Sequence, residues 1–232
     1  DSLDIYESKI LLNKQNYNFQ FNIDKIQLAG INIQIDKKLI NWYQDFNDTE
    51  DVESLHRWNW MIYSISNINN MVDFNELIFY QRDWYDKFIY ELKNKKNLNH
   101  PRWESYTISE RISNSIIVSN YYNKKIPGDI LECIKKQSFF LIKNLEYFGN
   151  ETGNHIINNA RALYLYSIYH NNKKIQILAK SIFYDQVSKL ITKDGFLREG
   201  SSHYHFLFLR WLIEVNYFAK KNEDYNFSKF IS

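Results

Sequence analysis

Over most of the chain, apolar residues recur at spacings of three and four, and only two prolines and six glycines interrupt its 232 residues. That pattern predicts a mostly α-helical protein. Near the amino terminus the period changes to two. Tyr17-Asn18-Phe19-Gln20-Phe21-Asn22-Ile23 and Ile31-Asn32-Ile33-Gln34-Ile35 alternate apolar and polar, and Ala29-Gly30 between them supplies a turn. A short β-hairpin is therefore expected near the amino terminus. Residues 1–36 read as an amino-terminal extension and 37–232 as a helical domain.

Local signals place the helices. Asp48 suits an N-cap, with Glu50, Asp51 and Glu53 in the positive first turn and Leu55, Trp58, Ile62 and Ile65 as one buried stripe. Thr107-Ile108-Ser109-Glu110 has the form of a capping box, from which a helix is expected to about Asn120. Pro127 fits a first helical turn, and the segment to Tyr147 carries Ile130, Ile134, Phe140, Leu141 and Leu145. Further helices are expected at about 73–95, 152–170, 174–192 and 202–221. Their connections are short, so successive helices should lie antiparallel as hairpins. Ala160-Arg161-Ala162-Leu163-Tyr164-Leu165-Tyr166 is apolar nearly all round, which implies packing on both sides. An incomplete (α/α) toroid of helix hairpins meets that requirement.

Composition narrows the function classes. Hydrophobic residues make up 44% and aromatics 17%, ample for a packed interior. Net charge is +2 with dispersed basic residues, so no nucleic-acid surface is indicated. Cys133 is the single cysteine, which rules out an intramolecular disulfide and a multi-cysteine zinc cluster. No apolar run reaches the roughly 20 residues of a spanning helix. The chain starts at Asp1 without a methionine and ends inside a segment, Tyr225 to Ser232, that reads as continuing, so a fragment is expected.

Two segments carry candidate chemistry. On the helix opening near Thr152, Asn154, His155, Asn158, Asn159 and Arg161 fall on one arc, while Ile156, Ile157, Ala160, Leu163 and Tyr164 mostly take the other side. This predicts a wet amino end and a dry body. The arc is either an ordinary exposed helix start or an amino terminus facing an anionic ligand, where Asn154 would hold a carboxylate. The second segment begins at the turn Lys193-Asp194-Gly195 and continues to Glu199, with Ser201 or Ser202 as cap and Tyr204 and His205 in the first helical turn. Both side chains can equally be anchored above a core. His203 and His205 make a poor metal pair, since alternate helical positions diverge and no cysteine or carboxylate pair completes a shell.

Gly153-Asn154-His155, then Asp194-Gly195-Phe196 and Glu199-x-Ser201-x-x-Tyr204-His205, resembles the amino-terminal toroid of the heparinase II/III-like polysaccharide lyases, a group that includes alginate lyases. Trp42-x-x-Asp45-Phe46 with Leu55-His56-Arg57-Trp58, and Trp103-x-x-Tyr106-x-Ile108-x-x-Arg111-Ile112, are similar to upstream segments of that family. The resemblance spans about 40 to 215. It implies eliminative cleavage of a uronic-acid polysaccharide, heparin-like or alginate-like, without a dissociable cofactor or a metal in this part. Asn154, with His155, would neutralise the uronate carboxylate, and Tyr204 would act as general acid/base. A phenol of ordinary pKa about 10 needs nearby cations, for which Arg111 or the histidines are nominated. His205 would tune Tyr204 or pack within its helix, and Glu199 would orient Arg or His side chains at the substrate. Asn158 and the tryptophans Trp103, Trp42 and Trp58 are further candidates for sugar contact. The family's carboxy-terminal β-sandwich, which completes the cleft with another histidine, would lie beyond this chain, and export to a periplasm or outside the cell is implied. Two other classes stay open. An α/α-toroid glycoside hydrolase would draw two acids from Glu110, Glu199 and Asp194. A non-catalytic glycan-binding helical module would need no convergence of Asn154, His155 and Tyr204.

Overall fold

The computed structural model describes residues 21–35, 39–66 and 72–232. Among these, strands β1 (Lys25–Gln27) and β2 (Asn32–Gln34) precede nine α-helices. They are α1 (Thr49–Arg57), α2 (Asn59–Ser66), α3 (Phe74–Asn94), α4 (Ser105–Tyr121), α5 (Gly128–Lys143), α6 (His155–Tyr169), α7 (Lys173–Leu190), α8 (Ser202–Lys221) and α9 (Tyr225–Ile231). Turns of 3₁₀ helix, Pro101–Trp103 and Gly149–Glu151, lead toward α4 and α6. The chain is mostly α, as its periodicity predicts, and the small antiparallel hairpin near its start is present.

The hairpin pairs Ile26 with Ile33, and both side chains turn to the core as period-two alternation requires. Its first strand lies later than expected. Of the segment 17–23, residues 17–20 fall outside the described residues, while the Asn22 and Ile23 amides donate to the Glu76 carboxylate at 3.0 and 2.8 Å instead of joining a ladder. Gly30 N–H donates to Asp51 Oδ1 at 2.7 Å, so the turn is tied to α1.

The helix expected across Trp58 is broken there. Trp58 has φ 64°, a left-handed conformation that costs a non-glycine residue roughly 1–2 kcal/mol. Burial of its ring against Trp84 and Tyr85, with centroids at 5.7 and 5.5 Å, offsets that cost. Asn114 Nδ2 donates to the Arg57 carbonyl that the break exposes, at 2.9 Å. The capping box is also overturned. α4 starts at Ser105, so Thr107 and Glu110 lie inside the helix, where both are fully buried and Glu110 faces arginines.

α4 and α6 form the centre. α4 packs on α1, α2, α5 and α6, and α6 on α4, α5, α7 and α8. Serines allow α4 this close approach because their hydroxyls bond back within the helix: Ser109 Oγ to the Ser105 carbonyl at 2.7 Å, Ser115 Oγ to that of Arg111 at 2.9 Å. Three-residue connections join α6 to α7 and α8 to α9, and each pair packs as a hairpin. Among the described residues no helix is long and apolar enough to cross a membrane.

Arg111 has no exposed surface. Its guanidinium donates to Gln137 Oε1 and to the His56 and Arg102 carbonyls at 2.8, 2.8 and 2.9 Å, so Arg111→Ala strands three buried acceptors. The expected loss is about 3–5 kcal/mol of unfolding free energy, read from urea denaturation without any ligand.

Candidate active site

The two candidate segments meet directly. Asn154, just ahead of α6, donates its backbone N–H to Glu199 Oε1 at 2.8 Å and its Nδ2 to Glu199 Oε2 at 3.0 Å. A carboxylate suits this place, where the opening turn of a helix carries free amides and partial positive charge. The position expected to receive a ligand's carboxylate is thus occupied by the protein's own. Gly153 leaves room for it, since a Cβ there would come within 3.1 Å of Glu199 Oε1. Arg198 closes the same junction by donating to the Thr152 carbonyl at 2.9 Å, and Gly200, at φ 70°, turns the chain into α8.

His155 is half exposed, its side chain 51% accessible. Its Nδ1 lies 2.9 Å from Glu146 Oε1, and its ring packs on Tyr106 with centroids at 4.6 Å. Burial disfavours the imidazolium, but the hydrogen bond and charge of Glu146, with Glu199, outweigh it and raise the pKa above its ordinary value. Tyr106 in turn touches Trp211, and the Arg57 guanidinium sits 4.6 Å over its ring.

Beneath lies an ionic cluster centred on the fully buried Glu110 and Arg161. Glu110 accepts from Arg161 Nη1 at 2.7 Å, from Arg210 Nη2 at 2.9 Å and from Trp211 Nε1 at 3.1 Å. Burial alone would raise this carboxyl, yet Arg161 and Arg210 overcome it and bring Glu110 down to about 2. Arg161 also donates to Asn158 Oδ1 at 2.6 Å and pairs with Glu214 at 2.6 Å. The polar arc of α6 is therefore not a wet face. Asn158, Asn159 and Arg161 are fully buried, and of the arc only His155 reaches solvent.

Tyr204 stands in the first turn of α8, which Ser201 caps through the Tyr204 N–H at 3.4 Å. The ring is 46% exposed and lies near that of His203; among the described residues its hydroxyl forms no hydrogen bond. His205 Nδ1 accepts the Leu197 N–H at 3.3 Å and its ring leans on Phe196, so it braces the incoming loop. Glu199 orients Asn154 and not an arginine or histidine. Burial corrects the expected sugar contacts of Trp103, Trp42 and Trp58, and also the nomination of Arg111 as a cation at the site: all four are interior, and the Arg111 guanidinium is held by Gln137, His56 and Arg102. Trp103 Nε1 donates to Glu91 at 2.6 Å and Trp42 Nε1 to Asp83 at 2.6 Å, so each indole is satisfied inside the protein. Asn158 is also buried, and among the described residues its Nδ2 has no hydrogen-bond partner. Among the described residues no three His, Cys, Asp or Glu side chains are grouped to hold a metal.

Sequence reasoning missed Glu146 and gave no role to Tyr106 or Arg57. Tyr106 and Arg57 stand inside the segments Trp103-x-x-Tyr106 and Leu55-His56-Arg57-Trp58, which was the available signal. Glu146 lies in the irregular stretch between α5 and α6, where no periodicity marks it.

No protein-family profile matches this chain, and no curated protein sequence matches it. A solved structure of a heparinase III with methylated lysines is similar, with TM-score 0.55, 16% identity, and coverage of 97% of this chain and 42% of that one. At this identity the likeness is one of fold. The neighbour is a helical toroid, and the described helices have that heparinase-like architecture. This chain spans less than half the length of the heparinase III chain.

Glu110 has a lower pKa folded than its ordinary 4.5. Its stabilising contribution is therefore present above pH 4.5 and lost as pH falls toward about 2. Glu110→Gln should be less stable at neutral pH, because Arg161 and Arg210 lose the carboxylate they share, and should lack roughly 3 kcal/mol of the wild-type acid dependence. Denaturant titrations repeated between pH 4.5 and 2 read this as a flatter profile.

Proposed function

We propose that this chain is the helical domain of a polysaccharide lyase that cleaves a uronic-acid-containing glycan, heparin-like or alginate-like, by β-elimination. The contact between Asn154 and Glu199 carries the reading, because it joins the Gly153-Asn154-His155 segment to the one leading into Tyr204. The heparinase-like fold supports it independently.

The chemistry follows from the groups available. The C5 proton of a uronate is removable only when the adjacent carboxylate is neutralised, since the developing negative charge spreads into it. An amide nitrogen carries two hydrogens; Asn154 is 3% exposed and gives one of them to Glu199, so only the second is left for a uronate carboxylate. His155, held at Nδ1 by Glu146, offers Nε2–H as the second donor when protonated. As the C5–H bond breaks, its electron pair forms the C4=C5 double bond and the C4–O4 bond opens. The Tyr204 phenolate takes the C5 proton and hands that same proton to the departing O4, so the phenolate is restored at the end of the step. Polymers of this kind lie outside cells, so the proposal includes export to a periplasm or beyond.

The hydrolase alternative is weakened because two of its three nominated acids are engaged: Glu110 is locked in ion pairs without exposed surface, and both Glu199 oxygens are bound by Asn154. A panel of uronic-acid polymers, followed by ultraviolet absorbance of the unsaturated product, tests the proposal on the protein as its gene encodes it. Tyr204→Phe is expected to lower turnover about 10²–10⁴-fold, and Asn154→Ala about 10²–10³-fold. Full turnover in the phenylalanine variant, or no product from wild type on any polymer, would sink the reading.

A further inference from the structure

We propose that Glu146 is the positioning residue of this site: clamped from below by Asn159, it holds the His155 imidazole with Nδ1 toward the protein and Nε2 toward the opening. The inference rests on the proposed role of His155 in neutralising a uronate.

The clamp is built from several bonds. Asn159 Oδ1 accepts the Glu146 backbone N–H at 3.0 Å, and its Nδ2 donates to Glu146 Oε2 at 3.0 Å and toward Ser109 Oγ at 3.1 Å. The remaining carboxylate oxygen, Oε1, faces His155 Nδ1 at 2.9 Å. His155 and Asn159 lie one helical turn apart on α6, so a single carboxylate bridges the helix face from a loop outside it. Both oxygens of Glu146 are thus committed, and the orientation of the carboxylate is set by a fully buried amide and serine. A carboxylate at Nδ1 requires a hydrogen there, which selects one tautomer and leaves Nε2 as the working atom.

Fold stability does not account for the arrangement. The His155 and Glu146 side chains are 51% and 20% accessible, and an ion pair this open contributes only about 0–1 kcal/mol. Yet two buried polar residues are committed to holding one of its partners. The charged and titratable groups acting on His155 are Glu146, Glu199 and Glu104, with Arg57 opposing them and the Tyr106 phenol against the ring. Three carboxylates against one guanidinium favour the imidazolium, the form that can donate from Nε2.

The folded imidazole titrates above its unfolded value, so the pair's stabilisation is complete below the ordinary histidine range and is lost as pH rises through the raised value. Nitrogen-15 NMR of the imidazole, assigned with His155→Gln and followed against pH, reads both tautomer and titration without any substrate. Glu146→Gln keeps the shape that Asn159 grips but removes the charge. The expected result is a lowered His155 pKa, loss of the uniform Nδ1–H tautomer, and a fall in uronate-polymer turnover of roughly 10- to 100-fold, the range known for partners that orient metal-bound histidines. An unchanged tautomer and titration in Glu146→Gln overturns the assignment. Where that variant does not fold, Glu146→Asp decides, because its retreat by one methylene should release the tautomer and retention would overturn the proposal. If the imidazole responds as expected while wild type cleaves no polymer, the uronate reading fails and the positioning role stands.

Discussion

The guanidinium of Arg111 is the constraint around which the amino-terminal half is arranged. It lies 4.0 Å over Trp84 and within 5.8 Å of the rings of Trp103 and Trp58. Its three hydrogen-bond acceptors come from α1, from the 3₁₀ turn before α4, and from α5. Burial lowers its pKa, Tyr85 opposes the change and Arg102 adds to it, and the value near 9 keeps the group charged at neutral pH. A charge out of water persists only where dipoles and aromatic faces replace hydration, so four segments must be in register around it. The left-handed turn at Trp58 is one consequence of that register, because a continuous helix would carry the indole away from the guanidinium.

Glu110 is the adjacent residue on α4, and it makes the opposite connection. Its carboxylate binds Arg161 of α6 with Arg210 and Trp211 of α8. Two neighbouring residues of opposite charge therefore fasten α4 to both halves of the molecule, Arg111 toward α1 and α5 and Glu110 toward α6 and α8. The candidate site lies at the amino ends of α4, α6 and α8, immediately above this double attachment. Tyr106, one turn before Glu110, carries the support up to His155 through direct ring contact.

Much of the architecture was legible because helical periodicity and turn residues are local properties. The boundaries of α3, α6, α7 and α8 fall within a few residues of those predicted from apolar spacing and caps. The errors arose where a distant partner outweighed a local preference. Thr107 and Glu110 have the spacing of a capping box, but Glu110 is drawn to arginines 51 and 100 positions away. The α6 arc reads as a solvated face because sequence offers no sign that Asn158, Asn159 and Arg161 satisfy one another's neighbours inside. Arg111 and Trp103 sit in motifs that resemble a family's active-site surroundings, and proximity in sequence to such residues does not distinguish lining from support. Asn154, His155 and Glu199 were legible as candidates, since small turn residues beside polar helix starts mark them. Glu146 was not, since nothing periodic frames it.

The Asn154–Glu199 bridge spans 45 positions, and the Arg210–Glu110 link beneath it spans 100. Contacts so remote along the chain are the slow ones to form, because each must first close a long loop. Secondary structure can thus be in place while the junction that joins these segments does not yet exist. A nascent or partly unfolded molecule would carry every residue of the constellation without the contacts that join them, which ties assembly of the candidate site to completed folding by geometry alone.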